Sequence, residues 1–118
     1  MPRSYRVYLT DIIESSEKII SYTRDITFEQ FRNDSKTIDA VIRNLQVMGE
    51  AVKHIPQELR DRDPAIEWRA ATGLRDMLVH EYFGIDNEDL WKTIQNNLPR
   101  FKDQVRQFRS VHFGDNPA

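Results

Sequence analysis

The chain has 118 residues, enough for one domain with a single core that needs neither disulfides nor a structural metal. A formal net charge of -2 excludes a surface built wholesale for phosphate, so any nucleic-acid contact must come from a local basic patch. There is no cysteine, which excludes disulfides and thiolate zinc sites and suits a reducing compartment.

Glycine and proline are scarce, and no stretch alternates with period two, so an all-α fold is expected. Ser4 is placed to cap a first helix over about residues 5–24, with Tyr5, Tyr8, Leu9, Ile12, Ser16, Ile19 and Thr23 on one face. Its opening, "MPRSYRVYLTD", lacks the apolar stretch of a signal peptide, and no apolar run nears the roughly 20 residues of a membrane span. A cytoplasmic protein is expected.

Thr27 and Gln30 have the spacing of a capping box, which predicts a short helix ending near Arg32. Asp34 can cap a longer helix with Ile38, Val41, Ile42, Leu45, Met48, Gly49, Val52 and Ile55 on its apolar face. Pro56 stops it, and "PQELRDRD" reads as a loop or a single turn. Asp63 and Pro64 form a plausible N-cap and N1 pair for the next helix. One stripe of that helix carries Ile66, Ala70, Gly73 and Met77, with Trp68, Ala71, Leu74 and Leu78 beside it. Its small residues, "RAATG", would let a neighbouring helix approach closely.

Gly84 is a stop signal. Asp86 and Asp89 then open a last helix carrying Leu90, Trp91, Ile94, Leu98, Phe101, Val105 and Phe108, with a kink expected at Pro99. The pattern implies an up-and-down bundle of four main helices plus short ones. Residues 1–112 form one domain and 113–118 a frayed tail.

The stretch "RDMLVHEYFG", from Arg75 to Gly84, carries the candidate chemistry. On a continuous helix Arg75 and Tyr82 share a face to within about 20°, and the Asp76 carboxylate can reach His80 four residues on. Arg75 and His80 differ by about 140°, so one straight helix does not aim both at the same point. A second copy of the motif from a dimer partner removes that difficulty. The spacing also suits an ordinary helix end, with a histidine favourable to the macrodipole and an arginine on a solvated face.

The wider pattern resembles the HepT-like branch of the HEPN superfamily, small bacterial ribonuclease toxins with the signature Arg, four residues, His, any residue, Tyr. Arg75, His80 and Tyr82 fit it, and Asp76 fits the polar position after the arginine. Upstream, "IDAVIRNLQVMGEAVKHIP" is similar to the family's "RN…GEA" helix. "WRAATGLRDMLVHEYFGID" and "LWKTIQNNLPRFKDQVRQF" resemble its central and last helices, so the resemblance covers nearly the whole chain.

The resemblance implies a homodimeric helical bundle whose paired motifs meet in a cleft, and metal-independent RNA cleavage by the ribose 2′-hydroxyl. It also implies an antitoxin partner, a minimal nucleotidyltransferase of the MntA type. That partner would transfer AMP from ATP to the motif tyrosine, here Tyr82, and silence the toxin.

The residue types suit that chemistry. His80 can move protons near neutral pH. Arg75 can clamp the non-bridging phosphate oxygens with a planar fork of donors. Asp76 could orient His80, and Tyr82 could position a phosphate or stack on a base. AMP on Tyr82 would bring bulk and negative charge to a cationic cleft.

Weaker features remain. Arg100, Lys102, Arg106 and Arg109, against Asp103, could track an RNA backbone or simply form a solvated helix face. Glu50, His54 and Glu58 recur at four-residue spacing, but Pro56 interrupts the helix between the last two, so no metal site is expected. No glycine-rich phosphate loop is present, so no cofactor is expected, and the protein would accept AMP rather than hydrolyse ATP itself. The alternative is a non-catalytic HEPN-type module that binds RNA or a nucleotidyltransferase. The intact Arg75–His80 pair favours the nuclease.

Overall fold

The computed structural model describes residues 4–80 and 86–114, with backbone alone at positions 79 and 80. The described residues form helices and no strand. Helix α1 spans Tyr5–Thr23, α2 Phe28–Arg32, α3 Ser35–Lys53, α4 Gln57–Arg60 and α5 Trp68–His80. Helix α6, Asn87–Lys92, runs through a π-helical turn, Thr93–Asn97, into α7, Leu98–Phe113. Counting that last stretch as one body gives four long helices and two short ones, the expected all-α bundle.

The helix starts follow from local chemistry. Ser4 Oγ accepts from the Arg6 N–H, and the Thr27–Gln30 capping box is complete in both directions. Asp34 accepts from the Thr37 backbone, and Asp86 from the N–H groups of Glu88 and Asp89. Between α1 and α2, Asp25 turns the chain with a φ of 64°, a conformation aspartate tolerates better than most residues.

Helix α3 packs between α1 and α5, and α1 also packs on α7. Tyr8 meets His54, and the Ser16 hydroxyl meets Met48 Sδ at 3.4 Å, so α1 and α3 run antiparallel. Glu17 pairs with Arg106 and Thr10 with Arg109, so α1 and α7 do too. The expected α3 face is buried from Val41 to Ile55, with Ile38 at its margin. Trp68 sets its ring edge-on to Phe101 and Phe108 and ties the start of α5 to α7.

Three local readings change. First, α5 begins at Trp68, not beside Asp63. The Asp63 carbonyl accepts from the Ile66 N–H and from Trp68 Nε1, making a turn that buries both Ile66 and Trp68. A helix from Pro64 would have spread those two side chains about 200° apart.

Second, the buried stripe of α5 is Trp68, Ala71 and Leu78, with Leu74 at its edge, whereas Ala70, Gly73 and Met77 face outward. The close helix approach comes from α3. A Cβ on Gly49 would collide with the Cβ of Arg75 and lie 2.9 Å from the Ala71 carbonyl oxygen, while a Cβ on Gly73 would meet nothing.

Third, Pro99 is absorbed by the π-helical turn. Leu98 donates to the Thr93 carbonyl five residues back, which widens the helix where the proline ring would meet the preceding turn. Helix α7 continues through Phe113, which packs against the core, and ends at Gly114 with a φ of 71°.

Gly49→Ala should lower stability. Alanine gains about 1 kcal/mol of helix propensity, but the carbonyl of Ala71 cannot swing away, and overpacking costs about 1–3 kcal/mol. Thermal unfolding should show a net loss. Phe108→Ala, which empties a buried ring site, should cost about 3–5 kcal/mol in chemical denaturation.

Candidate active site

The site is built where Gly49 lets α3 meet α5. Glu50 and Lys53 flank that contact on α3, and Arg75 and Asp76 face them from α5. One terminal nitrogen of Arg75 forms an ion pair with Glu50 Oε2 at 3.1 Å, and the other donates to Asp76 Oδ1 at 3.1 Å. Lys53 Nζ reaches the same Asp76 oxygen at 2.7 Å. Glu50 Oε1 lies 3.5 Å from His54 Nε2, one helical turn on.

The Arg75 side chain is only 25% exposed, against about half for its carboxylate partners. Ion pairs this open add little stability one at a time. Here they fix a rotamer. Two carboxylates hold the guanidinium from two sides. Lys53 and then Arg75, by donating to the Asp76 carboxylate, hold it below its ordinary pKa of 3.8.

Beside this network lies a cleft of about 520 Å³ between α1, α3 and α5. Tyr8 and Asp11 form one wall, Arg43, Glu50 and His54 another, and Arg75 closes the third. The rings of Tyr8 and His54 are stacked, with centroids 4.6 Å apart and planes 8° from parallel.

Among the residues expected in the site, Arg75 and Asp76 are adjacent and share an ionic network. The backbone of His80 forms the last position of α5, while its side chain and the whole of Tyr82 lie outside the described residues. The basic residues of the last helix are not gathered together. Arg106 pairs with Glu17 at 2.7 Å, Arg109 donates to Thr10, Arg100 lies 3.8 Å from Glu67 and Lys102 lies 3.6 Å from Asp103.

Glu50 and Lys53 are the members that sequence reasoning missed. Glu50 and His54 were weighed individually only as part of a metal trio with Glu58, beyond their place in the "RN…GEA" stretch, and among the described residues no group of three such side chains is placed to hold a metal. The signal for Glu50 was its neighbour: a glycine on a helix's apolar stripe marks a close crossing, and the residues beside it face the crossing helix.

Fold and site together define a small helical protein that presents a braced arginine beside an open cleft, on the helix whose last position is His80. A family model described as "Ribonuclease HepT-like" matches residues 12–108. A protein of Thermococcus cleftensis named "Probable ribonuclease HepT" is 45% identical over 109 residues, covering 92% of this chain and 99% of its own length. A Methanocaldococcus jannaschii protein named "Putative RNase MJ0127" is 44% identical over 108 residues, covering 91% and 89%. No solved structure matches. The chain belongs to the HepT-like ribonuclease family and is an enzyme of that class. Among the described residues, no helix is long and apolar enough to cross a membrane.

The Asp76 contacts make a pH prediction. A carboxylate with a depressed folded pKa adds stability above its unfolded value, and that stability is lost as pH falls through the folded pKa. Wild type should therefore melt above Asp76→Asn at neutral pH, with the gap closing as pH drops below about 3.8. Melting curves of both proteins across that range check it. A gap that widened toward acid would rule out the assigned contacts.

Proposed function

We propose that the chain is the toxin of a bacterial toxin–antitoxin pair, a metal-independent endoribonuclease neutralised by AMP transfer to Tyr82. The observation that supports this most directly is Arg75: a largely buried guanidinium, held by Glu50 and Asp76 at the edge of a cleft, on the helix that carries His80.

The reaction follows from these groups. A ribose 2′-hydroxyl loses its proton and attacks the adjacent phosphorus. The 5′-oxygen leaves with a proton, and a 2′,3′-cyclic phosphate remains. His80 supplies proton transfer at neutral pH. Arg75 neutralises charge building on the non-bridging oxygens without itself losing a proton. Asp76 contributes through Arg75, whose N–H it accepts and whose position it holds, and through His80, four residues on. Two motifs facing each other in a homodimer supply both an acid and a base, which answers the 140° or so between Arg75 and His80 on one helix.

In the silencing step, the Tyr82 phenol gives up its proton to solvent or a partner base as its oxygen attacks the α-phosphate of ATP held by an MntA-type nucleotidyltransferase. Pyrophosphate leaves, and AMP stays on the oxygen. Its negative charge then opposes RNA phosphates at the cleft.

Purified protein incubated with total RNA in EDTA should produce fragments with 2′,3′-cyclic phosphate ends. His80→Ala and Arg75→Ala should each lower cleavage by roughly 100-fold or more, with the helical circular-dichroism spectrum retained. Full activity in His80→Ala would sink the catalytic assignment. Tyr82→Phe should cleave RNA yet resist AMP labelling by the partner enzyme; label on that variant would move the acceptor elsewhere.

A further inference from the structure

Resting on the proposed cleavage at Arg75, the geometry points to the cleft between α1, α3 and α5 as the docking groove for single-stranded RNA. A base beside the scissile phosphate stacks on the Tyr8–His54 pair, and a flanking phosphate is held by Arg43. Of the described motif residues, Arg75 lines this groove.

Helix α3 presents two faces. Its core face buries Val41, Leu45, Met48 and Val52. A second face carries Arg43, Val47, Glu50 and His54 at 4-3-4 spacing, and all four line the groove. From Arg43 to His54 the helix rises about 16 Å, with Arg75 docked near its middle at Gly49. RNA lying along this face would put its scissile phosphate at Arg75, one base toward His54 and a neighbouring phosphate toward Arg43. The groove's 520 Å³ falls within the roughly 300–1,000 Å³ of ligand clefts.

The lining chemistry suits unpaired RNA. The Tyr8–His54 stack is a flat platform, and the His54 side chain is half exposed, which leaves room for a third ring. Splayed-out bases extend such aromatic stacks, whereas paired bases cannot. Asp11 and Glu50 also line the groove, so it is not a general phosphate trough. Glu50 is committed to Arg75 and His54. With Arg75 at the scissile group, Arg43 is the remaining arginine of the lining and fits one further phosphate.

The test uses a single-stranded RNA oligonucleotide that the wild-type protein cuts, and the same oligonucleotide 2′-O-methylated throughout so that it binds without cleavage. Arg43→Ala and His54→Ala should each raise KM for the first and Kd for the second roughly tenfold, with kcat within about twofold of wild type. Arg43→Ala should also reduce the slope of log binding against log salt by about one. His54→Phe, which keeps the ring and loses the Glu50 contact, should restore affinity. Unchanged KM, Kd and salt slope in Arg43→Ala and His54→Ala, with RNA still cut, would overturn the groove and leave the nuclease standing. RNA bound but never cut by wild type, with both losses of affinity present, would retain the groove and remove the nuclease. No binding of the methylated RNA by wild type would overturn the groove.

Discussion

The approach of α3 to α5 at Gly49 is the contact on which the site depends. Because position 49 has no side chain, the backbone of α3 comes against the Ala71 carbonyl and the Arg75 Cβ. Glu50 and Lys53 are thereby carried to Arg75 and Asp76, on a helix begun at Trp68 after a long connection. One methyl group at that crossing would push the helices apart and draw Glu50 away from Arg75. A packing constraint in the core thus sets the electrostatics at the surface.

Those electrostatics are local rather than global. The chain is close to neutral, and the cations of the last helix are spread among separate acidic or hydroxyl partners on α1, in the turn before α5 and on their own helix. Arg75 differs in being held by two carboxylates, one on its own helix and one on α3. An arginine fixed in this way loses little further side-chain entropy when it meets a phosphate, which is the condition for stabilising charge that develops during a reaction. The region that matches the HepT-like ribonuclease family, residues 12–108, includes this helix.

The cleft adds a second use of α3. One face of this helix builds the core and another lines a groove with stacked aromatic rings and an arginine. Both patterns were present in the sequence, but only the apolar one has a period that stands out. A polar face looks the same whether it meets water, a partner helix or a ligand.

By itself the sequence determined the helices and their caps, because capping and amphipathic spacing are short-range: Ser4, the Thr27–Gln30 box, Asp34 and Asp86 all act within three residues. It also set the spacing of Arg75, Asp76, His80 and Tyr82, and over residues 12–108 it carries the family match. Tertiary structure decided which stripe of α5 is buried, since the turn at Asp63 rotates the helix to bury Ile66 and Trp68 together and leaves Ala70, Gly73 and Met77 outside. It alone decided that Arg75 answers to Glu50 and Asp76 to Lys53, residues 25 and 23 positions away. Such pairs form because two helices cross at a glycine, and no local periodicity records where a helix will be crossed.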